Sequence, residues 1–412
     1  MLTLISIVVG VAALFGWISA RVLKLPNTIG TMLLTAVTSI VLGLLAHLWP
    51  NPDMWAVRTI QQIDFQKLVL HGLLASLLFA GAFLIDLDGL REQKIVVALL
   101  AIVVTVLSVL GVGAITYFAT SFFGFKPSIV ASLLFGALIS PTDPIAVLEM
   151  LRRVQTPKYL EAQLAGESLF NDGAGAVIFL ALLGATHGTR LSLGHLAFEI
   201  LRDAGGGILL GSALAYPVGL LMRNVRSTPV DILLSLALAL GGFAIADHLG
   251  ASAPLATVSS ALVLRLMVEG QPNDWVAHSE LNHFWSNIDE VQNAILFVLL
   301  GCGFLVVPFF RNAVLLGLSE ILIVNVVRIV CVALVLLLLN MLKPGQRSSL
   351  SVLSWGGLRG GLSIALALTV PAGFDGGWIL TATYVLVVFS ILIQGSTMGM
   401  FLKRLDLRTA DQ

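Results

Sequence analysis

Ser140-Pro141-Thr142-Asp143-Pro144 interrupts an apolar run that extends from about residue 128 to 151. Two prolines three residues apart cannot both sit inside an unbroken helix, because each removes an amide donor and its ring clashes with the preceding turn. The spacing predicts a span broken in its middle. Thr142 or Asp143 can cap a new half-helix whose first position is Pro144. A carboxylate there meets the positive end of the half-helix dipole, and the carbonyls freed by the break can face a cation. Taken alone, the five residues also allow a plain proline kink with a satisfied aspartate.

The rest of the chain places this break in a bilayer. Of 412 residues, 58% are hydrophobic and only 11% charged, with a mean hydropathy of +0.98. A soluble domain is about a quarter charged. The 23 basic and 23 acidic residues balance, which argues against a nucleic-acid partner. Apolar runs mark thirteen candidate spans, with the fifth near 128–151, the sixth near 160–183, the eleventh near 312–340, the twelfth near 348–370 and the last near 377–402. The fold class is an all-α polytopic membrane protein occupying 1–412 as one transmembrane unit. The first run lacks the marks of a cleavable signal and is expected to remain a helix.

Basic residues set the orientation. With the amino terminus outside, the cytoplasmic segments and adjoining span ends hold fifteen Lys and Arg, the opposite side six, and Arg328 and Arg359 fall inside spans. The carboxyl terminus is then cytoplasmic. Residues 271–287, with Trp275 and Trp285, read as a cytoplasmic interfacial loop or helix held at the headgroups by its aromatics. Cys302 and Cys331 stand alone in apolar runs and read as small hydrophobic filler, with no disulfide, metal site or cofactor suggested.

An ionisable residue deep in a span is costly and marks function by default. Asp143, Glu167, Asp172 and Arg328 qualify. In Gly166-Glu167-Ser168-Leu169-Phe170-Asn171-Asp172-Gly173, Glu167 pairs by helical spacing with Asn171, and Ser168 with Asp172. One face can bind an ion through Ser168 and Asp172. The other presents Glu167, which needs a buried cation, and Arg328 on the eleventh span is the candidate for a structural ion pair. Glu320, eight residues before Arg328, reads as lying near the outer interface. In Ser354-Trp355-Gly356-Gly357-Leu358-Arg359-Gly360-Gly361, four glycines among six residues permit unwound backbone. Two broken spans, the fifth and twelfth, are the pattern of an inverted-repeat transporter with a midplane site. Arg359 is left between a carboxylate partner and carbonyls of the unwound twelfth span.

Together, Thr142-Asp143-Pro144, Gly166 to Asp172, Arg328, Gly356-Gly357-Leu358-Arg359-Gly360 and Ile288-Asp289-Glu290 running into Asn293-Ala294-Ile295-Leu296-Phe297 resemble the monovalent cation/proton antiporters of the NhaP and sodium/hydrogen exchanger type. The resemblance spans nearly the whole chain. It implies a thirteen-helix protomer, a homodimer in the cell (inner) membrane, and crossed fifth and twelfth helices in an elevator-like transport unit. Residues 1–90 and 199–308 would mainly scaffold and dimerise, and 91–198 and 309–402 would mainly transport. Asp172 would take either Na+ (or Li+) or a proton, with Ser168 and the Thr142 backbone completing the cation shell. Asp143 would offset the half-helix ends, and Asn171 marks an electroneutral exchanger. Some relatives place an acidic ligand near Phe79-Ala80-Gly81. This chain has none there, so water would complete the shell.

Competition for one carboxylate couples two fluxes without a second site. With Glu167 cancelled by Arg328 and Asp143 offset by dipoles, one exchangeable charge remains and the expected exchange is one for one. The alternatives are a potassium/proton antiporter of the same fold and a cation channel. An intramembrane aspartyl enzyme fits less well, because no protease-type signature surrounds Asp143 or Asp172.

Overall fold

The computed structural model describes residues 2–23, 27–48, 72–154, 156–185, 193–225, 227–269, 275–302, 307, 309–339, 347–371 and 376–404. The start of the third expected span, which the apolar runs place near 66–86, and the residues past 404 lie outside these. The described residues are helical almost throughout and form no strand. In chain order the helices are α1 (Leu2–Ile18), α2 (Asn27–Leu48), α3 (Leu74–Phe83), α4 (Leu87–Glu92), α5 (Lys94–Phe122), α6 (Ile129–Ile139), α7 (Ile145–Val154) and α8 (Lys158–Ala185). Then follow α9 (Leu193–Val225), α10 (Thr228–His248), α11 (Ala253–Glu269), α12 (Trp275–Cys302), α13 (Arg311–Leu338), α14 (Arg347–Trp355), α15 (Gly361–Ala367) and α16 (Gly376–Arg404). Three helices carry a widened π-helical turn, α1 at its end over Ser19–Leu23, α5 over Leu99–Val104 and α16 over Ser390–Gly395.

Seven helices among the described residues are long and apolar enough to cross a membrane, which establishes a multi-span membrane protein. The fifth expected span is α6 and α7, separated at residues 140–144. The twelfth is α14 and α15, separated at residues 356–360. Both breaks fall where proline and glycine placed them. A tight connection is also present at Leu249-Gly250. Gly250 has φ +68°, a conformation glycine adopts without a Cβ clash, and it turns α10 directly into α11.

Small residues bring backbones together. A Cβ on Gly136 of α6 would run into the Val109 carbonyl at 2.5 Å and the Gly113 amide at 3.1 Å, so α5 and α6 touch backbone to backbone. Gly207 and Gly211 do the same for α9 against Ser252 and Ala256 beside and on α11.

The apolar interior divides into two main clusters. The larger draws on α5 to α8 and α13 to α16, with Val8 and Ala12 of α1 and Leu296 to Leu300 of α12. The second draws on α3, α9, α10 and α11, with Leu281 and Trp285 of α12 and Leu169 of α8. Helices α8 and α12 therefore belong to both.

Residues 271–287 depart from the expected interfacial segment. From Trp275 the chain is already helix, running unbroken to Cys302, and residues 270–274 lie outside the described region. Trp285 is fully buried, its ring 4.6 Å from that of Phe79, and its indole N–H donates to Ser235 at 3.2 Å. Packing against α3 and α10, rather than headgroup anchoring, fixes this tryptophan. Aromatic composition alone does not distinguish the two environments.

Candidate functional site

Helix α6 ends at Ile139 because Pro141 and Pro144 withhold two amide donors, and α7 restarts at Ile145. Asp143 is the cap: its Oδ1 accepts the Ile145 amide at 3.1 Å. Thr142 does different work. The Asn171 side chain of α8 grips it twice, with Oδ1 accepting the Thr142 amide at 3.3 Å and Nδ2 donating to Thr142 Oγ1 at 2.8 Å. The Ser168 hydroxyl donates to the Thr142 carbonyl. One turn of α8 thus holds the unwound fifth span at Thr142.

The twelfth span crosses at the same place. The Asp143 amide donates to the Leu358 carbonyl at 2.8 Å, joining the two unwound segments backbone to backbone. A Cβ on Gly360 would overlap the Asp143 carboxylate, and one on Gly357 would lie 2.9 Å from Arg328 Nε. Glycine is required at both positions by proximity, since neither has positive φ.

Arg328 of α13 reaches Glu167 with both terminal nitrogens, Nη1 to Oε1 and Nη2 to Oε2, the latter at 2.8 Å. Glu167 is fully buried and Arg328 3% exposed, so the pair is sealed from water. Nη2 also donates to the Leu353 carbonyl at 3.0 Å, near the end of α14. Arg359 has a parallel role. Its Nη1 donates to the carbonyls of Ser140 and Pro141, just past the end of α6, the second at 2.9 Å. Each first half-helix therefore ends on a guanidinium, where the negative end of its dipole lies. The open alternatives for Arg359 resolve to carbonyls, but those of the broken fifth span and not of its own.

Four of the expected site residues are therefore engaged by protein: Thr142, Asp143, Ser168 and Asn171. Glu167 and Arg328 form the expected pair. Asp172 is different. Among the described residues its carboxylate has no hydrogen bond or ion pair, and it is only partly buried, one turn along α8 from Ser168 and close to Asp143. No cluster of three or more His, Cys, Asp or Glu side chains able to hold a metal occurs among the described residues. The oxygens available at the crossing are one free carboxylate, a hydroxyl and a backbone carbonyl, the donor set of a weakly held hard cation.

Glu320 faces a neighbouring helix. It is fully buried on α13 and accepts the Thr116 hydroxyl of α5 at 3.0 Å. Phe79, where some relatives would carry an acid, is fully buried against Trp285. Cys302 and Cys331 are buried free thiols, as filler residues should be. Sequence reading passed over Asn325, Ser390 and Gln394, which are described below. The available signal was a Ser and a Gln four apart in the apolar run of the last span.

A transmembrane bundle with two crossed, interrupted helices and a lone carboxylate beside the crossing defines a membrane ion transporter, not an enzyme. The sodium/hydrogen exchanger, transmembrane, family profile matches residues 9–404, and the chain belongs to that family. The chain is similar to the Na(+)/H(+) antiporter NhaP of Pseudomonas aeruginosa, at 36% identity over 98% of this chain and 97% of that one. It is also similar to the Na(+)/H(+) antiporter NhaH of Halobacillus dabanensis, at 32% identity over 98% and 97%. The structure of the sodium proton antiporter MjNhaP1 from Methanocaldococcus jannaschii shares the fold, with a TM-score of 0.75 at 22% identity over 98% of this chain and 97% of that one.

Proposed function

We propose that this protein exchanges Na+ (or Li+) for protons, one for one, through competition at Asp172. The observation that carries the reading is the contrast between Asp172 and its neighbours. Glu167 is neutralised by Arg328, Asp143 caps α7, and Asn171 is committed to Thr142. Asp172 alone is free to change partners.

An ionised carboxylate in a site of low dielectric needs either a proton or a cation beside it. Loss of one admits the other, so each transit carries one of the two. Ser168 is poised for the cation state: its hydroxyl already touches the Thr142 carbonyl, and rotating the hydrogen away turns both oxygens toward an ion at Asp172. Counting charge supports the one-for-one ratio. Glu167 and Arg328 cancel, and the half-helix dipole offsets Asp143, leaving Asp172 as the single variable charge.

The assembly reading rests on the same family and on the two apolar clusters. The larger cluster would be the moving transport unit and the second the scaffold, close to the division of 91–198 and 309–402 from 1–90 and 199–308. Helices α1, α9 and α10 present wide apolar faces, with Leu201 and Leu209 both 73% exposed, which suits lipid and a second copy. The excess of Lys and Arg on one side supports an outside amino terminus in a cell membrane.

The test is reconstitution in proteoliposomes with an imposed pH gradient, challenged with Na+, Li+ and K+ with and without a clamped potential. Na+-driven proton flux insensitive to the clamp is expected. Asp172→Asn should abolish it while the protein still elutes as a folded species. Flux retained in that variant would falsify the site assignment, currents that follow voltage would make the protein a channel, and a response to K+ alone would change the substrate.

A further inference from the structure

The unwound segment 356–360 has few bonds of its own. The Gly356 amide reaches Val352 and the Leu358 amide reaches Gly356, while the Arg359 amide leaves the segment altogether. It donates to the Ser390 hydroxyl at 2.9 Å. Ser390 donates onward to Gln394 Oε1 at 2.7 Å, Gln394 Nε2 to Asn325 Oδ1 at 2.8 Å, and Asn325 Nδ2 to the Ile321 carbonyl at 2.7 Å. Every donor in this chain points the same way, from the crossing into α13, so each bond polarises the next. Arg359, Ser390 and Gln394 are almost wholly buried. Ser390 and Gln394 occupy the π-helical turn of α16, and such turns commonly sit at functional sites because they re-aim side chains that a regular helix would point elsewhere. At the other end of the segment, the Trp355 indole donates to Thr397 at 3.3 Å, also on α16.

We infer that Gln394 is a positioning residue for the ion site: through Ser390 it fixes the height of the unwound twelfth span, and thereby the seat of Arg359 on the Ser140 and Pro141 carbonyls. It touches no substrate. Its effect passes from Gln394 to Ser390, to the Arg359 backbone, to the Arg359 guanidinium and to the broken end of α6 beside Thr142. The inference deepens the exchange reading above and rests on it for its kinetic consequence.

Gln394→Leu removes the middle of the chain at similar volume. In proteoliposomes the KM for Na+ should rise roughly tenfold, the scale of one lost buried hydrogen bond, with a smaller change in maximal rate. Amide exchange followed by mass spectrometry should quicken in peptides covering 356–360 and 140–144. Ser396→Ala, whose hydroxyl bonds only carbonyls of its own helix, should leave both readouts at native values. In the Arg359→Lys background, Gln394→Leu should add little to KM, because both changes act through the same contact. An unchanged KM and unchanged amide exchange in correctly folded Gln394→Leu overturns the inference, as does full additivity with Arg359→Lys. If the unmodified protein shows no Na+-driven flux, the exchange reading fails, and the amide-exchange result still decides the positioning role by itself.

Discussion

The two breaks reach the same geometry by opposite means. At 140–144 the proline rings forbid a helix, and the polar groups set free are collected by other parts of the site: Arg359, Ser168, Asn171 and the Leu358 carbonyl. At 356–360 glycines only permit unwinding, and the shape is imposed from outside by Arg328, Asp143 and the polar chain from α16. The first break is written into its own residues, while the second depends on what surrounds it. A substitution inside the glycine break should therefore do more harm than one inside the proline break, and loss of the Arg328 guanidinium should do more than either.

The largest effect is expected from Arg328→Ala, which leaves Glu167 buried and unpaired and should cost about 3–5 kcal/mol of stability, read by thermal unfolding in detergent. Arg359→Ala, whose partners are carbonyls and not a carboxylate, should cost less, on the order of 1–3 kcal/mol. Equal losses would show that the two arginines are not distinguished by a buried counter-ion. Gly360→Ala comes next. Its methyl overlaps Asp143, so about 1–3 kcal/mol of overpacking is expected, with a marked fall in exchange. Native transport in this variant would mean that the crossing yields easily. Smallest is Pro144→Ala at the start of α7, where the free amide is one of those no helix satisfies, and a cost of about 0.4–1 kcal/mol is expected with exchange retained. A collapse of flux there would erase the contrast between the breaks.

Local chemistry was legible in the sequence and long-range partnership was only partly so. Pro141 and Pro144 declare a break because proline's limits do not depend on context, and Glu167 and Arg328 declare each other because a lone buried charge is too costly. Arg359 had no such unique solution. Backbone carbonyls satisfy a guanidinium as well as a carboxylate does, and the ones it uses lie more than 200 residues away. Asn171 reads in the sequence as a marker of charge, and its clamp on Thr142 is visible only in the fold. Trp285 shows the same limit, since an aromatic near a polar stretch fits both a headgroup and a packed core. The widened turn at Ser390–Gly395 leaves no mark in the periodicity.

The bond from the Asp143 amide to the Leu358 carbonyl, with the Arg359 strap beside it, has a mechanical consequence. Two rods pinned at their midpoints by several short links behave as a welded joint and not as a scissor. Load applied to either broken span is carried by the other, and the crossing keeps its shape. Any compliance in the bundle then has to lie outside the crossing, and the helices shared by the two apolar clusters are α12, which lends Trp285 to one and Leu296 to Leu300 to the other, and α8, which lends Leu169 to one and Leu160 and Leu164 to the other.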